Sequence, residues 1–285
     1  MRVQVGEKRI WFDTLGSSLD DNPRAEERQT ILALHGGPGI DHSSVRPTVE
    51  PLADLAQILL LDQCGHGRSD RGQPRDWNIE SWASDVAELC DALEVRQPIL
   101  FGSSFGAMVA LAVAGLFPDL PSALVISNSG AGLIDHQATR EAFRRLGGDH
   151  VAEIAWQGLE NPGPATTKAY NETCLPFYSH RPGAAEFTES MFANAVRTPE
   201  VGQHFQSTIK TLEPAKYAAT VECRTLILCG TDDVMVPQSV ARSLRDSFPR
   251  SRVRLEFVPD AGHFLYRDNP DDAYRLLRTF ITQTD

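Results

Sequence analysis

Short runs of near-continuous apolar residues punctuate the chain: TILALHG, AQILLLDQ, PILFGSS, ALVISNS, TLILCGT and VRLEFVP, each closing in a turn of small or polar residues. Runs of this length without a polar face predict strands buried on both sides, as in a parallel sheet covered by helices. VQV and RIWFDTL, joined through GEK, predict an opening hairpin. Between the strands, NIESWASDVAELCDALEV sets Ile79, Trp82, Val86, Leu89 and Leu93 at three- and four-residue steps, and Asn78 stands where it can cap the first turn. That spacing predicts an amphipathic helix. FGAMVALAVAGLF is apolar on nearly all sides and predicts a buried crossover helix, while PQSVARSLRDSF and NPDDAYRLLRTFI predict two later helices that open near a proline.

The alternation stops between about Ala131 and Lys216, where helix-like pieces carry Phe143, Trp156, Tyr170, Phe177, Tyr178, Phe187, Phe192 and Phe205. The expected fold class is therefore α/β: a mostly parallel central sheet with helices on both faces and an inserted helical cap. Residues 1–130 and 217–285 are expected to form the sheet domain and 131–216 the cap, with most of these aromatics in the cap's own core.

Composition narrows the partners. With 41% hydrophobic and 23% charged residues the chain matches an ordinary globular protein. Lys and Arg total 27 against 38 Asp and Glu, a net charge of 27 − 38 = −11, which opposes binding to nucleic acid or to an anionic membrane surface. No apolar run approaches membrane-spanning length, and MRVQVGEKRIWFD has no apolar signal core, so a cytoplasmic location is expected. Cys64, Cys90, Cys174, Cys223 and Cys229 are an odd set without C-x-x-C spacing, which fits reduced, packed thiols. There is no H-E-x-x-H and no Cys/His cluster, so neither metal nor cofactor is expected.

The candidate chemistry lies at the strand ends. Gly102-Ser103-Ser104-Phe105-Gly106 is a G-x-S-x-G between a predicted strand and a predicted helix, a context in which a tight turn lifts the Ser104 hydroxyl out of the sheet as a nucleophile. His35-Gly36-Gly37-Pro38-Gly39 follows the strand TILAL, and glycines there let the backbone approach a substrate oxygen. The backbone N–H groups of Gly37 and Phe105 are assigned to an oxyanion hole, and His35 to fixing the loop. A serine needs a positioned base, and His263, in the turn DAGHF after the last strand, stands where a chain in the order Ser, acid, His presents it. The acid is expected from GTDDVMVP: Asp233 first, Asp232 in reserve and Asp135 a distant third.

Together HGGPG, DQCGHGRSD, GSSFG, GTDDVMVP and AGHF resemble the proline iminopeptidase branch of the α/β-hydrolase superfamily, from about residue 28 to the end and most weakly in the cap. The resemblance implies a cofactor-free enzyme that removes N-terminal proline or another small residue from a short peptide beneath a cap. It also implies an amine-holding glutamate in the cap, for which Glu200 is the nearest candidate. The chain departs from that branch at Cys64, where arginine is common, and at Val234, where archaeal-type members place a second amine-holding glutamate. The expected activity is therefore acyl transfer on a small amide, ester or lactone, with a true aminopeptidase as one alternative and a ligand-binding protein with vestigial hydrolysis as the other.

Overall fold

Each predicted strand forms, and the eight join one sheet. In the computed structural model, which describes residues 1–16, 29–132, 135–249 and 252–283, the strands are β1 (Arg2–Val5), β2 (Lys8–Leu15), β3 (Thr30–Leu34), β4 (Gln57–Asp62), β5 (Ile99–Ser103), β6 (Ala123–Ser127), β7 (Arg224–Gly230) and β8 (Val253–Val258). Their order is β1-β2-β4-β3-β5-β6-β7-β8. The opening hairpin pairs Val5 with Lys8, and β2 runs antiparallel to β4. All other pairs are parallel.

The all-apolar strands read as they do because both faces are covered. Leu32, Leu34, Leu100, Leu124, Ile126 and Ile227 point into one core cluster, while their neighbours Ile31, Ala33, Ile99, Phe101, Val125 and Leu226 point into another. This is the period-2 alternation of a strand with an apolar layer on each side. The helices of the first half are α1 (Arg46–Val49), α2 (Ile79–Ala92) and α3 (Phe105–Leu116). As its spacing predicts, α2 buries Ile79, Trp82, Val86 and Leu89, and the Asn78 side chain accepts the Ser81 N–H to cap it. Leu93 falls one residue past the helix, at its C-cap.

Between β6 and β7 come α4 (His136–Glu160), α5 (Pro164–Thr173), α6 (Ala184–Ala193), α7 (Pro199–Thr208) and α8 (Pro214–Ala218), with no strand among the described residues. Gly148, at φ +80°, divides α4. A straight helix would hold its ends about 36 Å apart, yet His136 bonds to Glu160 and Arg140 pairs with Glu153 at 2.8 Å. The two halves therefore fold back on each other, a turn that the sequence pattern alone does not show. The chain then returns to the sheet with α9 (Gln238–Asp246), α10 (Leu265–Asp268) and α11 (Pro270–Thr282).

The β5–α3 junction is packed against β3. A Cβ on Gly106 would lie 2.2 Å from the Leu34 carbonyl oxygen and 2.6 Å from that of His35, and neither is a movable side-chain tip. Gly106→Ala should therefore cost about 3 kcal/mol or more, whereas Gly163→Ala, whose nearest neighbour is 3.8 Å away, should cost under about 1 kcal/mol. Urea unfolding of both variants checks this; similar midpoints would show that the junction yields.

Candidate active site

Ser104 follows β5 and stands at the N-cap of α3 with φ +51° and ψ −115°. A non-glycine residue in that region carries strain of order 1–3 kcal/mol and persists only where its surroundings fix it. Here the Ser104 N–H donates to the Ser127 carbonyl at 2.9 Å, which ties the turn to β6. The Ser104 hydroxyl makes no capping bond to α3 and instead meets His263 Nε2 at 3.2 Å.

His263 comes from the turn after β8, and its Nδ1 meets both Asp233 oxygens, at 2.8 and 3.1 Å. Asp233, from the turn after β7, also accepts the Met235 and Val236 N–H groups at 2.8 and 2.9 Å. His263 and Asp233 are both buried. Donation from Nδ1 to a carboxylate leaves Nε2 of the neutral ring as an acceptor for the Ser104 hydroxyl. Asp232 turns away: its side chain is 38% exposed, accepts from the Thr231 hydroxyl and lies 3.8 Å from Arg145. Asp135 accepts the Ala138 N–H and so caps α4.

The HGGPG loop runs beside the serine, since a Cβ on Gly36 would lie 3.6 Å from the Ser104 Cβ. Gly37, at φ +51°, and Phe105 line one cavity with Ser104 and His263. Phe105 opens α3, where first-turn N–H groups have no partner inside the helix. His35 is buried behind the loop, bonded to the Gly36 carbonyl through Nδ1, with Nε2 accepting the Gln63 N–H at 3.3 Å. Burial lowers its pKa, so it fixes the loop as a neutral ring.

Three supporting residues carry no motif. Asn128, at φ +52°, donates its side-chain amide to the His263 carbonyl. The buried Asp268 carboxylate accepts the Gly262 N–H at 2.9 Å, the His180 N–H at 3.1 Å and the Ser179 hydroxyl. Tyr178 sets its ring edge-on to His263 at 4.9 Å. A polar residue directly after β6 is the one faint signal for Asn128; nothing local marks the others.

The cavity has a volume of about 850 Å³. Tyr170, Tyr178, Phe187, Phe192 and Phe205 line it, so several of the aromatics expected in a separate core of their own border the cavity. Phe143 lies in that separate cluster beside the buried Val234, and Tyr170, Phe177 and Tyr178 pack against it, so Tyr170 and Tyr178 touch both. No described lining residue is Asp or Glu. Glu200, the glutamate suggested for an amine, is exposed on the first turn of α7 and is absent from the cavity wall.

Residues 29–270 match the family described as alpha/beta hydrolase fold. The chain belongs to that family. It is 25% identical to a proline iminopeptidase of Lactobacillus crispatus over 92% of this chain and 93% of that one. It is likewise 25% identical to a 2-hydroxymuconate semialdehyde hydrolase of a Pseudomonas species, over 90% of this chain and 87% of the other. The crystal structure of a Mycobacterium smegmatis proline iminopeptidase superposes with a TM-score of 0.74 at 18% identity, covering 99% and 97% of the two chains. This is an α/β-hydrolase enzyme whose relatives include proline iminopeptidases.

In this α/β hydrolase the DQCGHGRS segment braces the HGGPG loop. Asp62 accepts the His42 N–H at 2.9 Å, His42 Nδ1 at 2.8 Å and the Arg68 N–H at 2.7 Å. Burial alone would raise its pKa, but these bonds hold the carboxyl below its usual value. Asp41, His42 and Asp62 offer ligand atoms within 4.8 Å of one another, yet their oxygens are already engaged by Arg68 and Ser43. Burial drives His66 down to about 3 and the fully buried Cys64 thiol up to about 12. All five cysteines are buried. Ellman's reagent should accordingly titrate essentially no thiol in the native protein and all five in guanidine; rapid native reaction would place a thiol at the surface.

Proposed function

We propose that this protein is a serine hydrolase acting by acyl transfer, with Ser104 as nucleophile, His263 as general base and Asp233 as the orienting acid. The observation that carries the reading is the unbroken chain from Asp233 through His263 to a Ser104 hydroxyl that faces the cavity. Ser104 Oγ attacks a carbonyl carbon while His263 Nε2 takes its proton, and Asp233 stabilises the imidazolium. The Gly37 and Phe105 N–H groups hold the oxyanion. His263 returns the proton to the leaving group, then activates the water that releases the acyl group. Residues 131–216 act as an inserted cap that closes the site from above. We place the enzyme in the cytoplasm, which the buried unpaired thiols favour.

The proposed substrate is a small ester, lactone or amide without a required N-terminal ammonium. An ammonium in this cavity would meet no carboxylate among the described lining residues, and an uncompensated charge in a partly dry site is unfavourable. That argues against the aminopeptidase reading despite the names of the relatives.

Ser104→Ala and His263→Ala should each lower kcat on an aryl ester by on the order of 10⁴-fold with folding intact, and Asp233→Asn should cost far more than Asp232→Asn. Turnover by Ser104→Ala, or equal losses at the two aspartates, would contradict the assignment. Prolyl arylamide should show no kcat/KM advantage above about tenfold over its N-acetylated counterpart, and Glu200→Gln should leave that ratio unchanged. A large free-amine preference that Glu200→Gln removes would restore the aminopeptidase.

A further inference from the structure

Four basic side chains line the cavity: His136, Arg197, Arg267 and His263. Three have a carboxylate beside them. His263 bonds to Asp233, His136 to Glu160, and Arg267 lies 3.8 Å from Asp268 while its guanidinium also donates to Ser179, Arg181 and Pro182. Arg197 differs. Among the described residues no carboxylate and no hydrogen-bond acceptor engages it, and its guanidinium lies over the face of Phe192, 5.4 Å from the ring centroid. Arg197 is exposed, and the described lining of the cavity it borders holds no Asp or Glu.

The position of Arg197 adds to this. It lies in the connection between α6 and α7, and the next residue, Thr198, donates its N–H to the Gly39 carbonyl at 2.8 Å. The same segment touches the HGGPG loop again, since a Cβ on Gly202 would lie 3.0 Å from the Pro38 oxygen. The backbone that carries Arg197 is thus fastened to the loop beside Ser104. Asn194, Gln203 and Gln206, exposed like Arg197, line the same cavity with neutral amides, and Met108, Leu175 and Met235 add apolar wall. A guanidinium with unused donors matches a carboxylate in shape and charge.

We propose that Arg197 is the anion subsite of this enzyme, and that the preferred substrate carries a carboxylate on its acyl part, joined to the reacting carbonyl by a short apolar chain. Arg197 grips the free carboxylate while the apolar wall takes the chain. This deepens the serine-hydrolase reading and rests on it for turnover, though the binding it describes does not require turnover.

The test compares 4-nitrophenyl hydrogen glutarate with 4-nitrophenyl pentanoate, whose five-carbon acyl chains differ in ending in a carboxylate or a methyl group. The wild-type ratio of kcat/KM, acid over neutral, should be about tenfold or higher, from one charge-assisted contact. Arg197→Gln should bring the ratio to about one and Arg197→Glu below it, while Glu200→Gln, outside the cavity, should not move it. Using the ratio cancels any general loss of activity or folding in a variant. A wild-type ratio near one, or a high ratio that Arg197→Gln retains, overturns the proposal. Calorimetry of Ser104→Ala with monomethyl glutarate and dimethyl glutarate reads the subsite without chemistry, and the acid should bind about tenfold tighter only when Arg197 is present. If neither ester turns over but this binding difference holds, the acyl-transfer reading falls and the subsite stands; equal binding of the two overturns the subsite.

Discussion

Ser104 is held at a backbone conformation that an L-residue avoids, at the point where the central strand β5 becomes the buried helix α3. That strain is sustainable because the elements around it leave no other path. Gly106 has no room for a Cβ against the Leu34 carbonyl, Gly102 has none beside Ala107, and the Ser104 N–H is tied to β6. The sheet and the crossover helix together force the hydroxyl outward, and a cost of order 1–3 kcal/mol at one residue is small against the burial of the apolar strands on either side. The order of the parallel strands then brings the turns after β7 and β8 to the same edge, so that Asp233 and His263 meet the serine.

The segment between β6 and β7 is not merely laid over this arrangement but bonded to its working loops. Asp268 gathers the Gly262 N–H, next to His263, with the Ser179 hydroxyl and the His180 N–H of the helical segment. The Phe264 N–H donates to the Tyr178 carbonyl at 3.0 Å, and Thr198 reaches Gly39 on the opposite side. The histidine turn and the glycine-rich loop are thereby each fastened to the segment that lines the cavity. A change in that segment is expected to be felt at the reacting groups as well as in substrate fit.

The sheet, the principal helices and the meeting of Ser104, His263 and Asp233 were legible because each rests on a strong local rule. Strands apolar on both faces, the Asn78 cap and a G-x-S-x-G between strand and helix leave few alternatives. What was not legible depends on contacts distant in sequence. Gly148 sits in a run that reads as weak helix, and only the pairing of His136 with Glu160 and of Arg140 with Glu153 shows the chain doubling back. Asn128 and Asp268 act on backbone groups far along the chain, so no side-chain spacing announces them. Glu200 was suggested by resemblance in the stretch where it is weakest, and α7 turns that side chain to solvent. Of the aromatics expected in a core of their own, Phe143, Tyr170, Phe177 and Tyr178 do pack together, while Phe187, Phe192 and Phe205 line the cavity, a division set by contacts distant in sequence.

The central claim is that acyl groups pass through Ser104, and intact-protein and peptide mass spectrometry after rapid quenching tests it most directly. During turnover of a slowly hydrolysed aryl ester, the account predicts one added acyl mass, located on the peptide that contains Ser104 and absent from Ser104→Ala. An acyl adduct confined to another residue, or turnover with no adduct at any quench time while Ser104→Ala remains active, would contradict it.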